Sequence, residues 1–276
     1  NEKTYSEIMS LWESIVLGLV QGLTEFLPVS SSGHIELGKA IFNIHESEAG
    51  LLFTVILHFA TALSTIVVFR NDIISILSGI FKFKWNPETK FSLLILISML
   101  PAAAVGVLLN DKIDGLYSGN VTLVSIMLLL TGFLLYVSDR LLTQTKDINM
   151  NSAILLGITQ AVAILPGISR SGSTIAIAVL LGIQREKAAR FSFLMVLPLI
   201  FGAMAKEILD FSNQGLVQPS SFIIDIPLIA GFLSALIAGV FACKWMIAIV
   251  KKSKLSYFAY YCWIIGIIGI AFSLLS

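Results

Sequence analysis

The sequence predicts an all-α polytopic membrane protein that is built as an inverted repeat. First, the 276 residues are 57% hydrophobic and only 13% charged, whereas soluble domains average about 25% charged residues. The mean hydropathy is +0.91. Second, several apolar segments have the length of a transmembrane helix. Third, two interrupted apolar segments repeat one motif at an offset of 139 residues.

Six apolar segments approach the roughly 20 residues that a helix needs to cross a hydrocarbon core of about 30 Å. These full spans are 51–69, 91–109, 121–138, 188–206, 223–243 and 255–275. Four other segments, 11–27, 35–44, 152–165 and 174–183, are too short or too interrupted to cross. Each half is therefore predicted to form a re-entrant broken helical hairpin followed by three transmembrane helices. We expect one integral-membrane domain over 1–276, with repeats at about 11–146 and 150–276 and with loops around 70–90 and 207–222.

The charged residues predict the orientation of the spans. Three crossings per half force the second copy to enter from the opposite face, which gives an inverted repeat. If residue 51 starts outside, 13 of the 18 Lys and Arg residues fall on the cytoplasmic side. The outer side holds only Lys3, Lys39, Lys112 and Lys206. The positive-inside bias thus predicts that both termini lie outside. We expect no removable signal peptide, because residues 1–10 lack a basic stretch followed by a cleavage site.

Residues 17–33 and 156–172 are two imperfect copies of one motif. Each copy opens on an apolar stretch that contains Gly and Gln, and each closes on a run of Pro, Ser and Gly. The pairs that coincide without a gap are Gly18/Gly157, Gln21/Gln160, Ser30/Ser169, Ser32/Ser171 and Gly33/Gly172. Broken helices at matching places of two repeats point to a binding site at the repeat interface.

The two breaks concentrate polar side chains inside apolar segments. Non-helical backbone at membrane depth is tolerated only where it is buried in protein or lines a wet cavity. Ionisable side chains at that depth are costly and have partners nearby. Because Glu25 and Arg170 lie in corresponding regions of opposite repeats, we expect them to be neighbours. Gln21 is four residues before Glu25 and shares its helix face, so their oxygens could point together at a cation or a water.

The helices that follow the breaks predict an anion site. They begin near Gly33 and Gly172, with serine hydroxyls at the N-cap. Helix N-termini present free N–H groups and a partial positive charge. Arg170 adds a forked donor that suits phosphate oxygens, and glycines such as Gly167 let the backbone approach closely. The sum is a phosphate-sized site that faces a carboxylate, a hydroxyl and an imidazole.

Structural interpretations compete with this one. Serines beside a break are ordinary N-caps, and Gln21 and Gln160 could merely bridge helices. Arg170 could pair with Glu25 only as a structural ion pair.

The three histidines are interpreted differently. We interpret His58, alone within an apolar span, as a hydrogen-bonded interior residue. His45, like Glu13, is interpreted as an interface or surface group. His34 directly follows Ser-Ser-Ser-Gly at a helix start, so we interpret it as functional.

Two stretches resemble the signatures of a known family. Residues 21–34, QGLTEFLPVSSSGH, resemble the first signature of the undecaprenyl-diphosphate phosphatases, the bacitracin-resistance family. Residues 165–174, LPGISRSGST, resemble its second signature, a Pro-Gly-x-Ser-Arg-Ser-x-x-Thr run. The resemblance covers essentially the whole chain and includes the order of the spans.

The resemblance implies a multi-pass enzyme of the bacterial inner (plasma) membrane that removes the terminal phosphate of undecaprenyl diphosphate near the outer face. The product is the carrier lipid for peptidoglycan and other envelope polymers. Family members need a divalent cation, Mg²⁺ or Ca²⁺. Many of them carry Glu at the position of Gln21, so two protein carboxylates are not available here. Glu25, a Gln21 carbonyl, waters and the diphosphate could still hold the ion.

The residues and the resemblance together suggest phosphoryl transfer from a polyprenyl diphosphate lipid. Ser31 attacks the terminal phosphorus after a base, either His34 or Glu25, accepts its proton; an alternative makes His34 the nucleophile. Arg170 and the helix N-termini stabilise the charge on the phosphoryl oxygens. The expected catalytic residues are Ser31, His34, Glu25 and Arg170. The expected substrate-binding residues are Gln21, Ser30, Ser32, Gly33, Ser169, Ser171, Gly172, Ser173 and Thr174.

Other function classes are weighed against the phosphatase. A flippase or transporter of the carrier lipid is the main alternative, alone or combined with hydrolysis, because inverted repeats with broken helices are a transporter architecture. The asymmetric chemistry, with Glu25 and His34 in one copy and Arg170 in the other, favours an enzyme. A net charge of +1 and the lack of a basic tract give no reason to expect nucleic acid. The oligomeric state is left open, with a homodimer as one possibility.

Overall fold

The computed structural model describes residues 10–41, 48–108, 120–140, 145–213, 225–252 and 254–275. These residues form helices and turns, with one isolated parallel bridge between Lys146 and Ile183 and no strand among them. The helices are α1 (Leu11–Thr24), α2 (Ser31–Ile41), α3 (Glu48–Val68), α4 (Arg70–Ile80), α5 (Pro87–Leu108), α6 (Val121–Asp139), α7 (Met150–Val162), α8 (Arg170–Leu180), α9 (Arg185–Asn213), α10 (Ile226–Lys251) and α11 (Ser256–Leu275).

Five helices in the described part of the chain are long and apolar enough to cross a membrane. They are α5, α6, α10, the Arg185–Lys206 part of α9 and the Ser256–Leu274 part of α11. A sixth crossing is counted if α3 and α4, which are bent by 78° at Phe69, form one span. The prediction of a polytopic helical membrane protein is therefore confirmed, with five or six candidate spans.

The expected loop around 70–90 is partly helical. Residues 70–80 form α4, which exposes Ile74 and Leu77 at 63% and 49%. The following turn exposes Phe81, Phe83 and Trp85. A short amphipathic helix that is followed by alternating aromatic and basic residues is typical of a segment that lies in a membrane interface. The loop prediction was wrong because the polar residues lower the hydropathy although the helical period persists. Residues 207–213 of the other expected loop are likewise helical, since α9 continues to Asn213, and 214–222 lie outside the described residues.

The four short apolar segments form the two expected broken hairpins. α1 and α2 are joined by residues 25–30, and α7 and α8 by residues 163–169. α1 begins with a capping box between Ser10 and Glu13, and Asn149 and Ser152 make the same arrangement before α7. These caps satisfy N–H groups that the first helical turn leaves without intrahelical partners.

Each hairpin packs against a helix from the other half of the sequence. α1, from the first half, packs most extensively against α10, and α7, from the second half, packs against α5. α5 and α10 are the second full spans of their halves, so the two packing arrangements correspond. α6 packs against α11 and also supports α2 and α8. The hairpins are thus enclosed by helices of both halves.

Three residues named above lie outside the described part of the chain, whereas both cysteines lie within it. Lys3, His45 and Lys112 lie outside the described residues. Cys243 and Cys262 are buried and free.

Close packing of α1 on α10 depends on glycine, which gives a test of the fold. A Cβ at Gly22 would lie 2.5 Å from the Ala235 carbonyl oxygen, whereas one at Gly106 on α5 meets no atom of the described residues within 4 Å. Gly22→Ala should destabilise the protein by about 1–3 kcal/mol through overpacking. Gly106→Ala should be neutral or slightly stabilising, because alanine favours the helix. Thermal unfolding in detergent measures both, and equal melting temperatures would contradict this packing.

Candidate active site

The tip of the first hairpin is a strained turn that Ser30 closes. Ser30 has a φ of +69°, a left-handed conformation that is uncommon for a residue with a side chain. Its hydroxyl accepts a hydrogen bond from the Gly33 N–H at 3.2 Å, and its carbonyl accepts one from the His34 N–H at 3.2 Å. Helix α2 therefore begins at Ser31. The N–H groups at its start that have no intrahelical partner point toward the tip. Backbone strain of this kind clusters at functional sites.

The tip of the second hairpin uses glycine and serine for the same purpose. Gly167 has a φ of +91°, and Ser169 caps α8 by accepting from the Gly172 N–H at 3.1 Å. The Ser169 N–H in turn donates to the Thr131 hydroxyl of α6 at 3.1 Å. α6 thus holds this tip in place. The expectation that a short helix with a serine N-cap follows each break is confirmed in both hairpins.

The two tips are in contact. A Cβ at Gly33 would lie 3.3 Å from the Gly167 Cα, and one at Gly172 would lie 3.0 Å from the Pro28 Cβ. The Ser171 hydroxyl also donates to the Glu25 carbonyl at 3.3 Å. The close approach that was expected of these glycines is therefore present, and a larger residue at either position would push the tips apart.

Glu25 is the centre of the site and is only 7% exposed. One carboxylate oxygen forms an ion pair with the Arg170 guanidinium. The other accepts from the Ser31 hydroxyl at 2.7 Å and from the Gln21 amide at 2.9 Å. The His58 Nε2 lies 3.8 Å from the same oxygen. A buried carboxylate is tolerable with such partners, because they replace the water that it has lost. The expected pairing of Glu25 with Arg170 is present.

A cavity of about 310 Å³ opens next to Glu25. One part of its wall is polar and combines residues of both hairpins with His58 of α3. The other part is apolar and comes from the second hairpin and α9. The polar lining residues are Thr24, Glu25, Ser31, Ser32, His58, Gln160, Ser169, Arg170 and Ser171; the apolar ones are Ala163, Ile164, Ile168, Val196, Leu199, Ile200 and Ala203. A pocket with one charged end and one apolar wall suits a lipid with a phosphorylated headgroup.

A second, much smaller cavity of about 10 Å³ also borders Glu25 and Arg170. Hydroxyl groups line it, from Thr61 and Thr65 of α3 and from Ser192 of α9. Its size and polarity suit a single water molecule.

His34 does not line either cavity. Its Nδ1 lies 2.8 Å from the Ser30 carbonyl oxygen, and its Nε2 lies 2.8 Å from the Tyr261 hydroxyl. The ring also stacks on Tyr261, with an interplanar angle of 10°. In this arrangement His34 links the first tip to α11, and it is the carboxylate of Glu25 that contacts the Ser31 hydroxyl.

The other predicted residues lie around the cavity rather than in it. Gln21 reaches the site only through Glu25, and its amide oxygen is buried without a partner among the described residues. Ser173 is buried and its hydroxyl is unpaired there as well. The Thr174 hydroxyl lies 2.6 Å from that of Ser192. Ser30, Gly33 and Gly172 form the tips.

His58 is the residue that the sequence interpretation underestimated. Its Nδ1 lies 2.9 Å from the Thr54 carbonyl oxygen, which agrees with a hydrogen-bonded interior residue, but its Nε2 faces Glu25. A signal was present: Thr54, His58, Thr61 and Thr65 recur at helical spacing within an otherwise apolar span. Such a stripe marks the face of a buried helix that is turned toward a polar site. Tyr261 carried no comparable signal.

The chain is similar in sequence to known proteins over nearly its whole length. A sequence model of the family described as bacitracin resistance protein BacA matches residues 14–268. A protein of Christiangramia forsetii named undecaprenyl-diphosphatase is 54% identical over 266 residues, which cover 96% of this chain and 99% of that protein. Proteins of the same name from Bacteroides fragilis and Halothermothrix orenii are 47% and 40% identical. The first alignment covers 96% of this chain and 99% of the relative, and the second covers 94% and 96%.

Two glycines with positive φ allow the geometry of the second tip to be tested. Alanine at either Gly167 or Gly182 is strained by the backbone conformation alone. Only at Gly167 would the Cβ also collide with backbone, 2.3 Å from the Val124 carbonyl oxygen; at Gly182 the nearest atom is a flexible Lys146 side-chain carbon at 3.4 Å. Gly167→Ala should therefore lower the melting temperature more than Gly182→Ala does. Similar losses in the two variants, measured by thermal unfolding, would contradict the close packing of the second tip on α6.

Proposed function

Because this chain belongs to the bacitracin resistance protein BacA family, we propose that it hydrolyses undecaprenyl diphosphate to undecaprenyl phosphate and inorganic phosphate in the cavity between the two tips. One observation carries the assignment of the site. A single buried carboxylate, Glu25, contacts the Ser31 hydroxyl, which is a potential nucleophile, and the Arg170 guanidinium, which is a potential phosphate ligand. A base, a nucleophile and a permanent positive charge are thus within contact distance, as phosphoryl transfer requires.

The first step forms a phosphoserine. The Ser31 oxygen attacks the terminal phosphorus while Glu25, 2.7 Å from that oxygen, accepts the hydroxyl proton. The new bond is between Ser31 and phosphorus, and the bond that breaks joins this phosphorus to the bridging oxygen. Undecaprenyl phosphate leaves, and the proton passes from Glu25 to its phosphate oxygen. Glu25 is then ionised again.

The second step releases inorganic phosphate. A water molecule attacks the phosphorus of the phosphoserine, and Glu25 accepts one of its protons. The bond between phosphorus and the Ser31 oxygen breaks, and Glu25 returns the proton to that oxygen. The serine, the carboxylate and their hydrogen bond are restored, so the cycle balances without any further reactant.

Positive charge and N–H groups stabilise the phosphoryl oxygens in both steps. Arg170 is the first residue of α8, so its guanidinium and the helix N-terminus act at the same place. α2 contributes a second N-terminus at Ser31. We propose that the tip residues bind the diphosphate or shape its pocket through their hydroxyl and N–H groups; they are Ser30, Ser32, Gly33, Ser169, Ser171, Gly172, Ser173 and Thr174.

The apolar part of the cavity suits the beginning of the polyprenyl chain. Ile164, Ile168 and Ile200 are among the residues of this wall, and isoprene units can pack against them by van der Waals contact, as apolar groups do within a bilayer. Selectivity for a lipid over free pyrophosphate follows from the combination of this wall with the charged end.

His34 is assigned a positioning role here, with Glu25 as the base. The imidazole holds the Ser30 turn against Tyr261, which fixes the start of α2 and hence Ser31. The alternative in which His34 is the base or the nucleophile requires the ring to leave both of these contacts.

The membrane arrangement is proposed from the sequence and supported by the packing. An inverted repeat with six spans and both termini outside agrees with the corresponding packing of α1 on α10 and of α7 on α5. We propose the bacterial inner membrane as its location, which the carrier lipid and the family support. Reporter fusions at the two termini test the orientation. A homodimer stays open.

A divalent cation stays a prediction from the family resemblance. The described residues contain no group of three His, Cys, Asp or Glu side chains that could hold a metal ion. Both oxygens of Glu25 already contact Arg170 or hydrogen-bond donors. The side chains alone therefore do not fit a cation, and no step above is assigned to one. We propose that the cation enters as a complex with the diphosphate. Mn²⁺ binding measured by electron paramagnetic resonance, with and without diphosphate, tests this.

Hydrolysis through a phosphoserine is tested in detergent, where a flippase has no sealed bilayer to act across. The purified protein should release phosphate from undecaprenyl diphosphate, and samples quenched in denaturant at neutral pH, where phosphoserine and phosphohistidine both survive, should carry phosphate on Ser31. Ser31→Ala should abolish both, whereas Ser78→Ala, an exposed serine on α4, should change neither. Mass spectrometry locates the modified residue. Phosphate found on His34 would reverse the assignment of the nucleophile, and a lack of phosphate release by the wild type would refute the proposed function.

Arg170 should matter more than other arginines. Arg170→Ala removes the charge that stabilises the phosphoryl oxygens, so turnover should fall by about 100-fold or more. Arg70→Ala, at an exposed arginine whose side chain donates to the Val67 carbonyl, should leave turnover within about twofold of the wild type. Steady-state phosphate release measures both variants. Near-normal turnover of Arg170→Ala would remove this residue from the site.

A further inference from the structure

Gln160 is a fully buried side chain whose polar atoms have no hydrogen-bond partner in the described part of the chain. It is 0% exposed, and neither Nε2 nor Oε1 has a hydrogen bond with any described residue. The residue belongs to the wall of the 310 Å³ cavity that Ser31 and Arg170 also line. Buried amides are nearly always paired, and an unpaired one costs stability. Both a donor and an acceptor are therefore available beside the cavity.

The first half of the chain shows what such an amide pairs with. Gln21 occupies the position that corresponds to Gln160, and its Nε2 donates to the Glu25 carboxylate at 2.9 Å. At the offset of 139 residues, Glu25 corresponds to Ile164. The second half therefore keeps the amide but lacks the anionic oxygen that it would contact.

We propose that the substrate supplies this missing anion, so that Gln160 is a diphosphate-binding residue. This inference rests on the proposed function. Nε2 donates to a phosphate oxygen, as the Gln21 amide donates to Glu25, and Oε1 accepts from a water that enters with the substrate. A hydrogen bond from a neutral donor to a charged oxygen is among the stronger ones. The terminal torsion of glutamine is broad, which lets the amide turn from the wall toward the ligand.

A purely structural role predicts the opposite effect on stability. If Gln160 held helices together, its removal would lower the melting temperature. If the amide is instead a ligand-binding group, replacing Gln160 by an apolar residue of similar size removes two unpaired polar atoms. The protein should then be as stable as before or more stable, while it binds the diphosphate more weakly. Stability that is exchanged for function in this way is typical of binding residues.

The experiment uses the full-length protein in detergent with Ser31→Ala, which prevents turnover. The dissociation constant of farnesyl diphosphate, a short polyprenyl diphosphate, is compared with and without Gln160→Leu or Gln160→Met. We expect each change to raise it by about tenfold to a hundredfold, with the melting temperature equal to or above that of the parent. Gln184→Leu, at an exposed glutamine, is the matched control and should change neither quantity.

Two results would overturn the inference. One is a dissociation constant within twofold of the parent in both Gln160 variants. The other is a melting temperature several degrees lower in both, because the amide would then have had a structural partner. Phosphate release by the wild type is assayed in parallel. Its failure would refute the proposed hydrolysis, whereas the binding data report on Gln160 independently.

Discussion

The ion pair between Glu25 and Arg170 is the interaction on which the site depends. It joins the two hairpins at their tips, and both charged side chains are mostly buried, with exposures of 5% for Glu25 and 22% for Arg170. A lone charge at such depth is costly, so each hairpin supplies the group that the other needs. The same carboxylate accepts from Ser31, and the same guanidinium borders the cavity. The contact that stabilises the tips therefore also places a nucleophile, a base and a phosphate ligand together.

Small residues make this contact possible. Gly33 and Gly172 allow backbone-to-backbone approach of the tips, and Gly167 allows the second tip to rest on α6. α10 packs against α1 and α5 packs against α7, so the first helix of each hairpin is also held in place. Irregular backbone at membrane depth requires such an enclosure, because no lipid can satisfy its hydrogen-bonding groups.

Much of this arrangement could be predicted from the sequence, because its causes are local or electrostatic. Hydropathy predicts the spans, and Pro, Gly and Ser predict the breaks. The pairing of Glu25 with Arg170 follows from the cost of leaving either charge alone. α4 was missed because its polar residues hide an amphipathic period. The orientation of His34 was beyond prediction, since it depends on Tyr261, more than 200 residues away. The contact of His58 with Glu25 also needs the tertiary structure, although the polar stripe of α3 indicated the face.

The most direct test of the central claim is a double-mutant cycle on the unfolding free energy in detergent, with Glu25→Gln and Arg170→Gln. If the pair joins the hairpins, each single change leaves a buried charge unpaired and costs about 3 kcal/mol. The double variant removes both charges, so we predict that it is more stable than the sum of the single effects implies. Strictly additive losses would contradict the account, because they would show that the two residues do not interact.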